Sequence, residues 1–150
     1  NNFTINELKK LNVSEITISP ELDKATLNTF NSSLNTEAIV YGNTPVMTIN
    51  YCLISKSNNC LTTCNSNCSL NNSQYYLKDR MNMNFRVIAD SFSKTTTIYN
   101  SKKTSISAAD LNVDSVRLDF MDEDINEINF IISTFKNGEI LEGKDFKNQI

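Results

Sequence analysis

Hydrophobic residues in the first half of the chain recur with helical spacing in some segments and with strand spacing in others. Leu8 and Leu11 stand three residues apart, which predicts a short helix, and Pro20 suits the first turn of a second helix capped by Ser19. Helices that alternate with strands are typical of βα units around a parallel sheet. The predicted elements are a helix over 5–11, a strand over 15–19, a helix from 20 to 30, and strands over 37–41 and 46–52.

The second half opens with a polar loop over 53–74, a length typical of functional or disordered segments. Acidic residues at 122–124 stand where an amphipathic helix begins, near the positive end of its dipole, and Asn137 with Gly138 marks its end. The stretch between loop and helix is predicted to be rich in strands. The predicted elements are strands over 75–80, 85–89, 95–99 and 114–120, a helical turn over 107–111, a helix through residue 135, and an extended tail over 139–150.

Composition is that of an ordinary globular protein of one domain, with 150 residues, 39% hydrophobic residues and a net charge of -3. This mildly acidic balance gives no reason to expect an independent nucleic-acid binder, which would carry a basic patch. No apolar run approaches the roughly 20 residues that span a bilayer, and no signal peptide is visible. Because the sequence begins without Met, we interpret it as a piece of a longer protein, with a processed product as the alternative. The missing signal peptide and apolar run predict a cytoplasmic protein with no membrane partner.

The chain contains no histidine, and this absence restricts its chemistry. The commonest general base and the imidazole metal ligand are both missing. A serine or cysteine protease of the His-assisted kind cannot be assembled from this chain alone, and neither can the HExxH zinc site. If the parent protein is a hydrolase, its site uses carboxylates, lysine, a metal or residues from elsewhere.

All cysteines of the chain stand in one short window, namely Cys52, Cys60, Cys64 and Cys68. Cys52 closes an apolar run with strand character, and the other three follow in a polar stretch, so the four thiols could form a cradle for zinc or an iron–sulfur cluster. Their spacing, C-x7-C-x3-C-x3-C, differs from the C-x2-C pairs of zinc knuckles. Reduced thiols and two disulfides are the alternatives, and the lack of a visible secretory signal argues against disulfides.

Five short motifs occur along the chain in a fixed order: SPEL at 19–22, YG…PVM…YC at 41–52, YYLKDRM at 75–81, TIYNSK at 97–102 and RLDF at 117–120. In this order they resemble the C-terminal part of the collagenase-like peptidase family U-32, and the resemblance covers nearly the whole chain. It implies an α/β fold, the C-terminal portion of a TIM-type (β/α) barrel. A β-rich, cysteine-containing insertion would occupy 53–105 within a single domain over 1–150.

The resemblance also implies a function for the parent protein, the hydrolysis of peptide bonds in a peptide or protein substrate. Other relatives carry out oxygen-independent hydroxylation of tRNA or rRNA with iron–sulfur clusters on cysteines, which is the alternative. In isolation the chain could instead be an inactive structural module. The resemblance adds Arg80 and Tyr99 to the substrate-binding residues, and it implies the N-terminal remainder of the same protein as a partner.

A site follows from the predicted barrel, whose active residues lie at the carboxyl ends of its strands. Period-two alternation places Asn50 and Cys52 on one face of their strand, and Arg117 and Asp119 on one face of another, while Glu21 follows the first strand. These five residues are predicted to bound a pocket. Asp119 or Glu21 would handle protons or a metal-bound water, Arg117 would orient substrate or oxyanion, and Asn50 would contact substrate. A structural ion pair between Arg117 and Asp119 is the alternative.

Overall fold

The computed structural model describes residues 2–30, 32–55, 60 and 74–148. They form two compact units. The first unit consists of Asn1–Asn43 and Lys102–Ile150, and the second unit is the intervening segment Thr44–Ser101. The sequence predicts an insertion over 53–105, whereas the second unit already begins before the predicted strand over 46–52. Within the described part of the chain, no helix is long and apolar enough to cross a membrane.

The first unit contains a five-stranded sheet with three α-helices. The elements are α1 (Asn2–Lys10), β1 (Glu15–Thr17), α2 (Lys24–Thr29), β2 (Asn35–Gly42), β7 (Lys103–Ser105), a 3-10 turn (Ala108–Asp110), β8 (Ser115–Leu118), α3 (Ile125–Lys136) and β9 (Phe146–Lys147). Strand β2 is central: β1 and β8 pair with it in parallel, β7 pairs with it in antiparallel orientation, and β9 extends the sheet beyond β7.

One face of this sheet forms the core of the first unit. Ala38 and Val40 alternate on β2 and pack in a cluster with Leu27 of α2, while Phe135 of α3 packs against that cluster. Because side chains alternate between the two faces of a strand, Glu37 lies on the opposite face of β2, where it is partly exposed. The face of β2 that packs against α2 and α3 is therefore apolar, and the opposite face carries Glu37 beside Ile39.

Two of the helices, α2 and α3, begin at aspartate caps. Asp124 accepts hydrogen bonds from the N–H groups of Asn126 and Glu127, and the Glu127 side chain returns to the Asp124 N–H, which completes a capping box. Helix α2 begins after Asp23, whose carboxylate accepts from the Thr26 N–H at 2.8 Å. The predicted Ser19 cap and Pro20 start are therefore wrong, because the chain makes a turn after β1 before the helix begins.

The second unit is a four-stranded antiparallel sheet. Its strands are β3 (Pro45–Ile49), β4 (Tyr75–Lys78), β5 (Asn84–Asp90) and β6 (Thr95–Tyr99). They lie in the order β3-β6-β5-β4, and Val87 of β5 stands opposite Ile98 of β6, both buried together with Ile54. Two aspartates fold the hairpins: Asp79 accepts from the Met81 and Met83 N–H groups, and Asp90 accepts from the Phe92 N–H.

The prediction of a TIM-type barrel portion is wrong. The described residues contain nine strands and three α-helices in two sheets, and four of their seven strand pairs are antiparallel. A barrel of this type needs parallel strands that each lead into a helix. Among the described elements, β1 leads into α2 and β8 leads into α3, and both strands pair in parallel with β2, which leads into β3 instead of a helix. Hydrophobic alternation has the same period in parallel and antiparallel strands, so it could not distinguish a barrel from hairpins.

Candidate functional site

Four polar side chains meet on the face of the first unit's sheet that the core leaves uncovered. The register places Thr17 beside Glu37, and it places Arg117 opposite Ile39, the next residue of β2 on that face. Arg117 Nη1 donates to Glu37 Oε1 at 3.0 Å and to Thr17 Oγ1 at 3.2 Å. Its Nε and Nη2 donate to the two carboxylate oxygens of Asp119 at 2.8 and 3.3 Å. Thr17, Glu37, Arg117 and Asp119 are called the Arg117 cluster below.

The Arg117 cluster combines fixed geometry with access from solvent. The side chains of Arg117 and Asp119 are 42% and 45% exposed. The pKa of Arg117 is raised, chiefly by its hydrogen bonds to Asp119, which prevail over the opposing effect of burial. Four of the five guanidinium N–H groups are used within the cluster. Each carboxylate oxygen of Asp119 has a second lone pair, so the carboxylate can accept a further hydrogen bond from a ligand.

Other predicted site residues lie apart from these contacts. Glu21 is exposed in the turn after β1, where its N–H donates to Ser19 Oγ at 3.4 Å. In the second unit, β3 ends at Ile49, so Asn50 lies just beyond the strand, and this residue is exposed. Arg80 is exposed in the hairpin turn between β4 and β5, and Tyr99 is half-buried at the end of β6.

The predicted pocket draws its residues from both units. Glu21, Arg117 and Asp119 belong to the first unit, whereas Asn50 and Cys52 belong to the second. Of these residues, Arg117 and Asp119 are joined by hydrogen bonds. The pocket and the roles assigned to its members stay predictions.

A buried threonine fixes the segment that carries the first cysteine. The Thr96 hydroxyl donates to the Tyr51 C=O at 2.7 Å and accepts from the Leu53 N–H at 3.3 Å. Cys52 therefore lies over the sheet of the second unit as a half-buried free thiol. The same segment continues into a turn, in which the Ser55 N–H donates to the Cys52 C=O at 3.2 Å.

Cys60 lies beside the same turn, because its N–H and its Sγ both donate to the Ser55 C=O, at 3.0 and 3.6 Å. The residue is half-buried. Cys64 and Cys68 lie outside the described residues. In the part of the chain that is described, no three Cys, Asp or Glu side chains are grouped to hold a metal ion. The iron–sulfur or zinc site on the four cysteines stays a prediction.

A second charged group, centred on Glu123, is buried in the first unit and was not predicted from the sequence. The side chain of Glu123 is only 2% exposed, and its Oε1 accepts from Lys103 Nζ at 2.7 Å and from the Tyr41 hydroxyl at 2.8 Å. Its Oε2 accepts from the N–H groups of Met121 and Asp122 at 2.7 and 3.2 Å. Tyr41, Lys103 and Glu123 are called the Glu123 network below.

Within the Glu123 network, the pKa of Glu123 is lowered and the pKa of Tyr41 is raised. Burial alone would raise the pKa of Glu123, but the hydrogen bonds from Lys103, Met121 and Tyr41 outweigh it and lower this pKa to about 2. The pKa of Tyr41 is raised by its own burial and by the adjacent Glu123 carboxylate. Glu123 is therefore ionised and Tyr41 protonated at neutral pH, the combination in which one donates to the other.

The sequence contains one signal for this network, the acidic run at 122–124, but the position of this run predicts only a favourable interaction with the helix dipole. Asp124 does cap the helix, whereas Glu123 turns back towards β2 and β7. Periodicity could not separate these two neighbours, because the side-chain donors to Glu123, Tyr41 and Lys103, come from strands that are distant in the sequence.

Comparison of the chain with protein-family models, curated proteins and solved structures finds no match. The resemblance to U-32 peptidases thus rests on the ordered motifs of the sequence.

Proposed function

We propose that the chain belongs to a peptidase, as its motifs suggest, and that the Arg117 cluster is its contribution to the site that binds and hydrolyses peptide bonds. The observation that carries the proposal is the half-exposed Asp119 carboxylate, which is held at both oxygens by one guanidinium. The fork of an arginine fits the two oxygens of a carboxylate and fixes its orientation.

This arrangement suits proton transfer in amide hydrolysis. Asp119 takes a proton from a water molecule while the water oxygen bonds to the scissile carbonyl carbon, and the same proton then passes to the leaving amine as the C–N bond breaks. The positive charge of Arg117 lies beside the carboxylate, where it favours the negative charge that develops on the carbonyl oxygen. Glu37 and Thr17 hold the other edge of the guanidinium, so its fork stays directed at Asp119.

The location of the Arg117 cluster also supports the proposal. Thr17 lies on β1, Glu37 on β2 and Arg117 on β8, and Asp119 directly follows β8. These three strands run parallel. In sheets of this kind, binding groups gather at the carboxyl ends of the strands, which is where Thr17 and Asp119 stand. An extended peptide laid across the polar face would find both hydrogen-bond donors and acceptors there.

Replacement of Asp119 by Asn tests the proposal, because Asn keeps the shape of the side chain but accepts no proton at neutral pH. In the protein that contains this chain, we expect kcat/KM for cleavage of gelatin or a quenched fluorogenic peptide to fall by about a hundredfold or more.

Asp110→Asn is the matched control, since Asp110 pairs with Lys24 at 3.2 Å in a similarly exposed ion pair of the same unit. Its cleavage rate should equal that of the unsubstituted protein. Full cleavage by the Asp119→Asn variant, or no cleavage by the unsubstituted protein, would contradict the proposal.

A further inference from the structure

The loop that follows β8 is attached to the end of β2 by its backbone and by an aromatic contact. The Asp119 N–H donates to the Tyr41 C=O at 2.9 Å, and the ring of Phe120 lies 5.6 Å from the ring of Tyr41. The Asp119 C=O approaches Gly42 so closely that a Cβ at Gly42 would lie 2.3 Å from this oxygen. The residue that carries the proposed proton acceptor is thus packed directly on β2.

The Glu123 network attaches the other end of the same loop. Glu123 binds the Met121 and Asp122 N–H groups with one oxygen and reaches Tyr41 and Lys103 with the other. One carboxylate therefore closes the loop on itself and joins it to both β2 and β7. Such a buried carboxylate is tolerated only when its charge and lone pairs are satisfied, as they are here.

We propose that Tyr41, Lys103 and Glu123 are positioning residues that hold the backbone of Asp119 so that its carboxylate faces Arg117. This inference rests on the proposed function, in which Asp119 accepts the proton. Arg117 fixes the carboxylate from the side-chain end, and the Glu123 network fixes it from the backbone end. Small displacements of a reacting group, of about 1 Å, reduce rates by roughly a hundredfold, so both attachments matter for catalysis.

Two mild substitutions test this inference. Tyr41→Phe removes one hydrogen bond to Glu123 but keeps the ring, and Lys103→Met removes the cation but keeps most of the chain length. In both variants we expect hydrogen exchange at the Asp119 amide, measured by NMR, to accelerate by about tenfold, the effect of one lost hydrogen bond. For peptide cleavage, kcat should fall by about tenfold with KM nearly unchanged, and Lys103→Arg should restore it.

The controls separate local from global effects. Lys24→Met removes the cation of an exposed ion pair in the same unit and should leave both readouts unchanged. The Ile131 amide, buried in α3, reports on opening of the whole unit. If exchange at Ile131 rises as much as at Asp119, the network acts only on stability and the inference is overturned.

The outcomes also separate this inference from the proposed function. Unchanged exchange at Asp119 in both variants overturns the positioning role, whatever the cleavage assay shows. Full loss of cleavage in Asp119→Asn together with unchanged kcat in the Tyr41 and Lys103 variants overturns the positioning role alone. Full cleavage by Asp119→Asn overturns the proposed function and, with it, any catalytic purpose of the positioning.

Discussion

At the residue scale, two carboxylates of the first unit differ in what surrounds them. Asp119 shares its charge with one arginine in partial contact with solvent, whereas Glu123 is enclosed by four donors. An exposed pair of the first kind adds little to stability because water screens it. An enclosed carboxylate of the second kind stabilises the fold only while it is ionised.

The stability contributed by Glu123 should depend on pH. Its pKa is about 2 in the folded chain against an ordinary value of 4.5, so the stabilisation is complete above pH 4.5 and is lost as the pH falls towards 2. At pH 7 we expect Glu123→Gln to lower the free energy of unfolding by about 3 kcal/mol. Urea unfolding between pH 7 and pH 3 should show this difference shrinking.

Glu7→Gln is the control for this series, because Glu7 pairs with Lys10 at 69% side-chain exposure. Its free energy of unfolding should match that of the unsubstituted protein at every pH. A Glu123→Gln deficit that stayed constant down to pH 3 would show that the lost packing, and not the charge, was responsible.

At the element scale, β2 and the loop after β8 pack so closely that Gly42, the last residue of β2, has no room for a side chain. Gly42 adopts a φ of +126°, and its place against the Asp119 C=O leaves no space for a methyl group. This glycine lets two parallel strands bring Tyr41 and Asp119 into hydrogen-bonding distance.

Gly42→Ala should therefore lower the free energy of unfolding by about 2 kcal/mol or more, through both the clash and the unfavourable φ. Gly138→Ala is the matched control, since Gly138 also has a positive φ, +77°, but a Cβ added there would meet no atom within 4 Å. It should cost about 1 kcal/mol, measured by the same urea titration. Equal losses in the two variants would mean that the close approach to Asp119 is unimportant.

Local elements could be predicted from the sequence where their signals are local. The helix over Ile125–Lys136 and its end at Asn137-Gly138 were predicted, and both are confirmed. Its apolar stripe is buried at Ile131, whereas Ile125 at its start is 68% exposed. The strands Tyr75–Lys78, Asn84–Asp90 and Thr95–Tyr99 fall within two residues of their predicted bounds. Period two places Arg117 and Asp119 on one face of their strand, and the ion pair between them, given as the alternative to a ligand-binding role, is present.

The features that the sequence did not predict are two very short strands and the contacts between residues that are distant along the chain. Strand β7 has three residues, and β9 has two, too few to show a period. Glu37 and Thr17 join Arg117 because three strands pair in a particular register, which no local pattern contains. The barrel was inferred from motifs, while the direction of each strand is decided by the turns between them.

At the scale of the whole molecule, each unit has a core of its own. The first unit is built around Ala38 and Val40, and the second around Val87 and Ile98. Both valines are almost completely buried, so their truncation removes similar apolar contacts.

Val87→Ala should lower amide protection from hydrogen exchange in β5 and β6 by an amount equivalent to about 2 kcal/mol, because it opens a cavity in the second unit. Val40→Ala should have the corresponding effect in β1, β2 and β8. Residue-resolved exchange checks both. Loss of protection spread evenly over both units in each variant would mean that the two cores open together.

The two ends of the second unit return to one place, since Pro45 pairs with Tyr99 and the Asn100 N–H donates to the Thr44 C=O at 2.8 Å. A segment whose ends already meet can grow, shrink or be exchanged without stretching the chain on either side of it. Evolution can therefore vary the length of the stretch between residues 44 and 101, while the strand that carries Arg117 and the loop that carries Glu123 keep their places in the first unit.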